Sequence, residues 1–296
     1  MTWDPGAVRS RGRIAALARL VRIEHTLFSL PFAYAGAFLA AIPTPWEALL
    51  IFTAVLGLRT AAMAYNNIAD LDIDSKNPRT VNRPLVKGEV SLRDAWLLVA
   101  AGSALYYASA LLLNQAAACL SPLLWLVALS YPHAKRYHCL PHLHLGLALG
   151  LVVFGGYVAV AGGPVSSLYR VIATAPWLLV VAVALWVAGF DTLYAAMDLE
   201  FDRREGLGSI PACYGEKVGL LSSIAMEAGF LTLLVISYTA YRLGPPYLAS
   251  VAAAALLETL QYIYYSRGLH GKAFNVNLAT GLIVAAGIIC GKLIPQ

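Results

Sequence analysis

The sequence predicts an all-α, polytopic membrane protein, a bundle of about nine transmembrane helices with cytoplasmic cap loops. Three observations predict this class. The chain of 296 residues is 59% apolar and only 12% charged, with a mean hydropathy of +0.69, whereas a soluble domain carries about 25% charged residues. Apolar stretches long enough to cross a bilayer recur along the whole chain. Lys and Arg gather in alternate connecting loops.

The apolar stretches use nearly all of the chain, so we expect one integral-membrane domain over 1–296. The first stretch lacks a small-residue cleavage site and is followed by further spans, which favours a helix over a signal peptide. Only two polar residues, Asn114 and Gln115, separate the third stretch from the fourth, so the number of spans is approximate. The predicted spans are 22–42, 46–66, 95–113, 116–132, 142–161, 170–195, 218–241, 246–266 and 273–294.

The distribution of basic residues predicts the orientation. With an inside N-terminus, most of the 21 Lys and Arg residues lie on the N-terminal side, against Arg170, Arg242 and Lys292 on the other. By the positive-inside rule, the N-terminus and the long loops face the cytoplasm. We expect the plasma membrane as the location of this multi-pass protein. The same rule explains the net charge of +5 without a nucleic-acid partner.

Two short acidic segments lie at the predicted cytoplasmic ends of the second and sixth spans, in a chain that has few acidic residues. Asp70 and Asp74 have the same four-residue spacing as Asp198 and Asp202, and residues four apart on a helix share a face. Carboxylates beside apolar helices are costly unless something pairs with them. We therefore expect the two pairs to share a divalent cation with a polyphosphate. The segments also align with each other, which predicts an internal duplication with halves near 1–133 and 134–296.

The residue types favour Mg²⁺ as the cation. Mg²⁺ takes oxygen ligands and is often held by one or two carboxylates plus substrate phosphates, whereas zinc or copper would want His or Cys. One helical step back from Asp70 adds Asn66 to the same face. Candidate phosphate ligands border the acidic segments, because Lys and Arg can hold phosphate oxygens that the metal does not reach. These are Arg79, Arg83, Lys135 and Arg136.

Two further charges, Arg59 and Asp191, lie in the apolar region on the helical faces that carry the motif carboxylates. An intramembrane ionisable group usually faces the bundle interior or a water-filled cavity. A role near the substrate and a buried Arg59–Asp191 ion pair that locks two helices are both compatible with this placement.

Neither cysteine nor histidine spacing predicts a metal site or a disulfide. His138, His142 and His144 are interrupted by Pro141 and have no carboxylate nearby in the sequence, which favours an interfacial loop over a zinc site. The cysteines show no CxxC spacing, so we expect unpaired, buried residues in helices. They are Cys119, Cys139, Cys213 and Cys290.

Together these motifs resemble the signatures of the UbiA-type intramembrane aromatic prenyltransferases, and the 4-hydroxybenzoate polyprenyltransferases in particular. The resemblance covers essentially the whole chain. One residue departs from the family's pattern. The first acidic motif of the family usually reads Asn-Asp-x-x-Asp, and this chain has Asn67 in the second place, so a metal ligand there would be an uncharged amide. The residues that carry the resemblance are Arg22 to Pro31; Asn66, Asn67, Asp70, Asp74, Arg83, Pro84 and Leu85; Tyr131, Lys135 and Arg136; and Tyr194, Ala195, Asp198, Asp202, Gly206, Ser209 and Gly215.

The resemblance implies Mg²⁺-dependent transfer of a polyprenyl group from polyprenyl diphosphate to an aromatic acceptor in quinone biosynthesis. Ionisation of the allylic C–O bond gives a cation that the ring attacks. Tyr131 and Tyr194 are candidates to stabilise this cation through their π faces. Asp191 is the candidate base, while Arg22 and Arg59 are candidate acceptor ligands. The isoprenoid tail is expected to leave the site laterally into lipid.

The resemblance leaves several acceptors open. The stretches from Glu24 to Phe32 and from Phe201 to Leu207 look most like quinone-pathway members, which favours 4-hydroxybenzoate and keeps a dihydroxynaphthoate as a close second. A glycerolipid or a tetrapyrrole is a further alternative. A membrane transporter is a distant one, because the charges gather at one end of the bundle with no matching machinery at the other.

Overall fold

The computed structural model describes residues 5–22 and 26–294, and the side chains of 12–22 and 29–294. Glu24 and His25, which contributed to the resemblance of the first helix, lie outside the described residues. In the described part all regular elements are helices, and there is no strand. The α-helices are α1 (Pro5–Val21), α2 (Thr26–Ala40), α3 (Pro45–Ala69), α4 (Leu71–Asp74), α5 (Leu92–Leu113), α6 (Gln115–Tyr137), α7 (Pro141–Ala161), α8 (Leu168–Thr174), α9 (Trp177–Ala195), α10 (Leu199–Glu205), α11 (Ile210–Tyr214), α12 (Glu216–Ala240), α13 (Pro245–Ser266) and α14 (His270–Leu293).

The all-α membrane class predicted from composition is confirmed, whereas the count of nine spans is not. Within the described residues, 7 helices are long and apolar enough to cross a membrane, and the apolar part of α2, Ser29–Ala40, is shorter. Helix α13 has 22 residues but is not among those 7. Large apolar side chains such as Leu111 and Leu256, 70% and 74% exposed, suit a surface that faces lipid.

The loops on the face away from the acidic segments are tight because side chains cap the helices there. Thr44 precedes α3 and accepts a hydrogen bond from the Glu47 backbone N–H, while the Glu47 carboxylate accepts one from the Thr44 N–H at 2.7 Å. Asn114 caps α6 in the same way through the Ala117 N–H at 2.8 Å. Each cap satisfies backbone groups that would otherwise be unpaired at a helix end.

Small residues allow the helices to pack closely. A Cβ added at Gly156 of α7 would lie 1.8 Å from the Ala33 carbonyl oxygen of α2, so only glycine permits this approach. Close packing of this kind is typical of membrane bundles, where small residues line the helix interfaces. Trp186 of α9 is fully buried at the centre of the C-terminal half and contacts Phe32 and Phe230. Helix α9 is thereby held at the core of the bundle.

The expectation of four unpaired, buried cysteines is wrong. Cys139, after α6, forms a disulfide with Cys213 of α11, and Cys119 and Cys290 are free and exposed. The two paired cysteines are 74 residues apart, and only the tertiary fold brings them together. The bond ties the α6–α7 connection to α11.

We expect Cys139→Ser to destabilise the protein. A disulfide that closes a loop of this length contributes about 2–4 kcal/mol, which corresponds to a fall in Tm of about 5–10 °C. Thermal unfolding of the purified protein measures it, and dithiothreitol should lower the wild-type Tm to the same value. The matched control is Cys119→Ser/Cys290→Ser, which should unfold as the wild type does. An unchanged Tm in Cys139→Ser would contradict the prediction.

Candidate active site

A cavity of about 510 Å³ opens at the end of the bundle that carries both acidic segments. It is walled mainly by α3, α6, α7 and α9 and by the loops that follow α3 and α9. Polar and aromatic groups face each other across it. Its lining includes Arg22, Asn66, Asp70, Arg79, Tyr131, Lys135, His142, Asp191, Tyr194, Asp198, Asp202, Ser209, His270 and Phe274.

The two acidic segments have the same local structure. Helix α3 ends at Asp70, with φ −98° and ψ 3°, and the continuation of α9 breaks at Asp198, with φ −103° and ψ 7°. In each case a short helix, α4 or α10, carries the second Asp. The prediction of one continuous helical face is therefore corrected, since each helix is interrupted at its first Asp. The shared break supports the proposed duplication.

Basic side chains pair with the cavity carboxylates. The Lys135 Nζ donates to Asp70 Oδ2 at 2.8 Å. Arg79 donates from two nitrogens to both oxygens of Asp198, and this contact raises the pKa of Arg79. Two cations and the carboxylates of both segments thus meet at one cavity, so the site can bind both signs of charge. A ligand with an anionic group and bound cations matches that arrangement.

The donor set fits a magnesium ion. Asp70 is 3% exposed, and its Oδ1 has no hydrogen-bond partner. Asn66, Asp198 and Asp202 offer further oxygens on the same cavity, and oxygen is the ligand type that Mg²⁺ prefers. Among the described residues no three His, Cys, Asp or Glu side chains converge on one point. A metal here would therefore be completed by oxygens of a substrate, which is how Mg²⁺ is commonly held with phosphates.

Several predicted site residues do not line this cavity. Asn67 is buried and its amide donates to the Leu20 and Met63 carbonyls, so its side chain is used in helix packing. Asp74 is also buried and pairs with Arg83. Burial raises the pKa of Asp74, and Arg83 acts in the opposite direction.

Two other predicted residues lie on either side of the cavity. Arg136 binds the exposed Asp72 carboxylate at 2.7 Å and the Ala69 carbonyl at 2.6 Å, and it holds down the loop after α3. Arg59 lies deeper, where it lines two apolar cavities between α2, α3, α6 and α7. Neither side chain lines the main cavity, although Arg136 lines a neighbouring one with Lys135 and Asp202. Their phosphate and acceptor contacts stay predictions.

His142 is a site residue that the sequence analysis missed. It is 3% exposed, and its Nδ1 lies 2.6 Å from Asp191 Oδ2, so the view of this histidine as part of an interfacial loop is wrong. Its Nε2 accepts the Ile210 N–H at 3.4 Å. An imidazole that accepts at Nε2 carries its proton on Nδ1, so His142 donates from Nδ1 to the Asp191 carboxyl group. No local spacing indicates this pair, because 49 residues separate its members.

Aromatic side chains form the deeper wall. Tyr194 contacts Phe274 and Tyr265 edge to face, with ring centroids 6.2 Å and 6.4 Å apart. Tyr131 lies on the opposite helix α6 and lines both the main cavity and a neighbouring apolar one. That apolar cavity shares Ser29 and Arg59 with a third, which is also apolar. The polar cavity thus continues into apolar space.

The UbiA prenyltransferase family model matches residues 29–291. The chain is 32% identical to a "4-hydroxybenzoate octaprenyltransferase" of Nitrosococcus oceani, over 93% of this chain and 96% of that protein. It is 58% identical to a UbiA homolog from Aeropyrum pernix K1, solved in its apo form, with a TM-score of 0.86 over 90% and 98% of the two chains. A UbiA homolog from Archaeoglobus fulgidus, solved with GPP and Mg²⁺, shares the fold at 21% identity, with a TM-score of 0.66 over 93% and 99%.

A membrane-embedded helical bundle with two acidic segments around one charged cavity defines an intramembrane transferase of isoprenoid groups. The chain belongs to the UbiA prenyltransferase family. Its predicted class and enzymatic nature are thereby confirmed.

Proposed function

We propose that the protein transfers a polyprenyl group from polyprenyl diphosphate to 4-hydroxybenzoate, with Mg²⁺, in quinone biosynthesis. The observation that carries the proposal is the cavity in which Asp70, Asp198 and Asp202 face Arg79 and Lys135. The activity for which the Nitrosococcus relative is named, and the GPP and Mg²⁺ bound to the Archaeoglobus homolog, support it. The charged face is the cytoplasmic one by the distribution of Lys and Arg.

The diphosphate is held by side chains that now pair with one another. Arg79 and Lys135 exchange their carboxylate partners for diphosphate oxygens, and Asp70, Asp198 and Asp202 become available to Mg²⁺. Bound Mg²⁺ neutralises charge on the diphosphate as a Lewis acid. Arg79 and Lys135 stabilise the charge that develops as the allylic C–O bond breaks and its electron pair passes to the diphosphate. Tyr131 and Tyr194 present ring faces to the allylic carbon.

The acceptor is positioned by Arg22 and Asp191. Arg22 follows α1 with a φ of 46°, a conformation that non-glycine residues rarely adopt and that is often found at binding sites. Its guanidinium suits the carboxylate of 4-hydroxybenzoate. Asp191, oriented by the hydrogen bond from the Nδ1–H of His142, is placed to take the proton that the substituted ring loses. The start of the tail then enters the apolar cavity that begins at Tyr131, and the rest leaves laterally into lipid.

The proposal is tested by incubating purified protein with geranyl diphosphate, Mg²⁺ and a panel of acceptors. The panel contains 4-hydroxybenzoate, 1,4-dihydroxy-2-naphthoate and a glycerolipid phosphate, with products identified by mass spectrometry. Prenylated 4-hydroxybenzoate and released diphosphate are expected, and EDTA should abolish both. Product from another acceptor alone would overturn the choice of acceptor. Turnover with no divalent cation present would overturn the metal assignment.

Asp191→Asn is expected to lower kcat by about 10²–10⁴-fold, the usual contribution of a positioned general base. His142→Gln should cost less, about tenfold, because it removes only the group that orients Asp191, and it should also shift the pH profile of kcat. His144→Gln is the matched control, since His144 bonds Ser130 instead, at 3.1 Å. Full activity in Asp191→Asn would contradict the assignment.

A further inference from the structure

A second group of buried polar side chains lies away from the active site, near the middle of the membrane-spanning helices. Glu227 of α12 and Glu258 of α13 are each 3% exposed, and Gln261 and Thr280 are fully buried beside them. Carboxyl groups at such depth are costly unless they are neutralised. The proposed prenyl transfer makes no use of them.

Some of the polar atoms in this group have hydrogen-bond partners. The Gln261 Nε2 donates to Glu227 Oε1 at 2.7 Å, and the Trp186 Nε1 donates to Glu258 Oε1 at 3.1 Å. The two carboxyl groups lie within hydrogen-bonding range of each other, and Thr280 lies within range of Glu258. Polar side chains from α12, α13 and α14 thus lie together in the core.

The other atoms are oxygens that make no hydrogen bond of good geometry: Glu227 Oε2, Glu258 Oε2, Gln261 Oε1 and Thr280 Oγ1, all buried. The Tyr262 hydroxyl lies within range of Glu227, as the Thr280 hydroxyl does of Glu258. In the described part of the chain no Lys, Arg or His forms an ion pair with either glutamate. A set of unpaired oxygens around two carboxyl groups is the environment of a hard cation.

We propose that Glu227, Glu258, Gln261 and Thr280 bind a small monovalent cation of the size of Na⁺. Four oxygens fall short of the six to eight that Ca²⁺ takes, and Mg²⁺ keeps several waters for which this buried site has no exposed face. One monovalent cation and one proton shared by the two carboxyl groups make the site neutral. The cation also pairs with the Gln261 oxygen, which a proton shared between the two carboxyl groups would leave without a partner.

The site lies against the helix that carries the catalytic residues. Trp186 of α9 bonds Glu258, and a Cβ at Gly189 of α9 would lie 2.8 Å from Glu227 Cγ. One turn further along, α9 presents Asp191 and Tyr194 to the active-site cavity. A bound cation therefore stabilises the packing of α9 against α12, α13 and α14.

Na⁺ should stabilise the purified protein. Replacing choline chloride by NaCl at constant ionic strength is expected to raise the wild-type Tm by about 5 °C or more, with a smaller rise in KCl. Equilibrium binding of ²²Na⁺ should approach one ion per chain. Equal Tm values in NaCl and choline chloride, without retained ²²Na⁺, would overturn the proposal. The two carboxyl groups would then be neutralised by protonation without a bound cation.

Two variants test whether Glu227 and Glu258 are the groups that bind the cation. Glu227→Gln/Glu258→Gln keeps side-chain volume and should lose both the Na⁺-dependent shift in Tm and ²²Na⁺ binding. Glu216→Gln, an exposed glutamate in the first turn of the same α12, should keep both. A double variant that retains the full Na⁺ response would disprove the assignment to these carboxyl groups, whatever the outcome of the prenyl-transfer assay.

Discussion

Asp70→Asn and Asp198→Asn are each expected to lower kcat for prenyl transfer by about 10³-fold or more. Each residue is the first Asp of its segment and lines the cavity. Asparagine keeps the shape of the side chain but removes the negative charge that would hold Mg²⁺ against the diphosphate. Because the metal supplies several kcal/mol of stabilisation to a developing anion, loss of one charged ligand should act mainly on kcat.

Steady-state release of diphosphate at saturating prenyl diphosphate measures this loss, and raising the Mg²⁺ concentration should recover part of it. Matched controls lie two residues away in each segment. Asp72 has a side chain that is 64% exposed and pairs with Arg136, and Glu200 is exposed on α10. Asp72→Asn and Glu200→Gln should stay within about threefold of the wild type. Equal loss in these controls would show that the net charge of the segments matters rather than metal ligation.

Lys135→Met and Arg79→Met are expected to lower kcat by about 10²–10³-fold, the cost of removing one donor to a developing anion. Both side chains border the cavity and now hold Asp70 and Asp198. Removal also leaves a carboxylate of the cavity without its cation. We therefore expect the KM for prenyl diphosphate to rise as well, because ground-state binding of the diphosphate uses the same two charges.

Lys76→Met is the control for these variants. Lys76 joins the same two loops through Glu205 at 2.7 Å, but its side chain is 59% exposed and lies outside the cavity. Initial rates over a range of prenyl diphosphate concentrations separate kcat from KM for all three proteins. If Lys76→Met and Arg79→Met lose activity equally, the arginine serves to join the loops and does not bind the diphosphate.

Much of the site follows from chemistry that is visible in the chain. The equal spacing in the two acidic segments and the basic residues near them predicted that Asp70, Asp198, Arg79 and Lys135 would meet. The structure places all four on one cavity. Helical periodicity works here because residues one turn apart share a face whatever the surrounding fold. It was less reliable after the helix break at Asp70, where Asp74 turns into the protein to pair with Arg83.

Contacts between distant parts of the chain could not be predicted in this way. His142 and Asp191, and likewise Cys139 and Cys213, meet only because α7 packs against α9 and α11 lies beside the α6–α7 connection. Asn67 looked like part of the metal motif, yet its amide is used to bind the end of α1. A side chain's neighbours in sequence say nothing about which helix will cover it.

The sequence by itself determined the membrane bundle, its family and the charged groups from which we propose a diphosphate site, because hydropathy and short-range spacing act locally along the chain. The tertiary structure alone decided which carboxylates face the cavity, which histidine orients Asp191, and that Glu227 and Glu258 meet in the core. Those outcomes depend on how helices far apart in sequence pack. In a membrane bundle the small residues at the contacts set that packing.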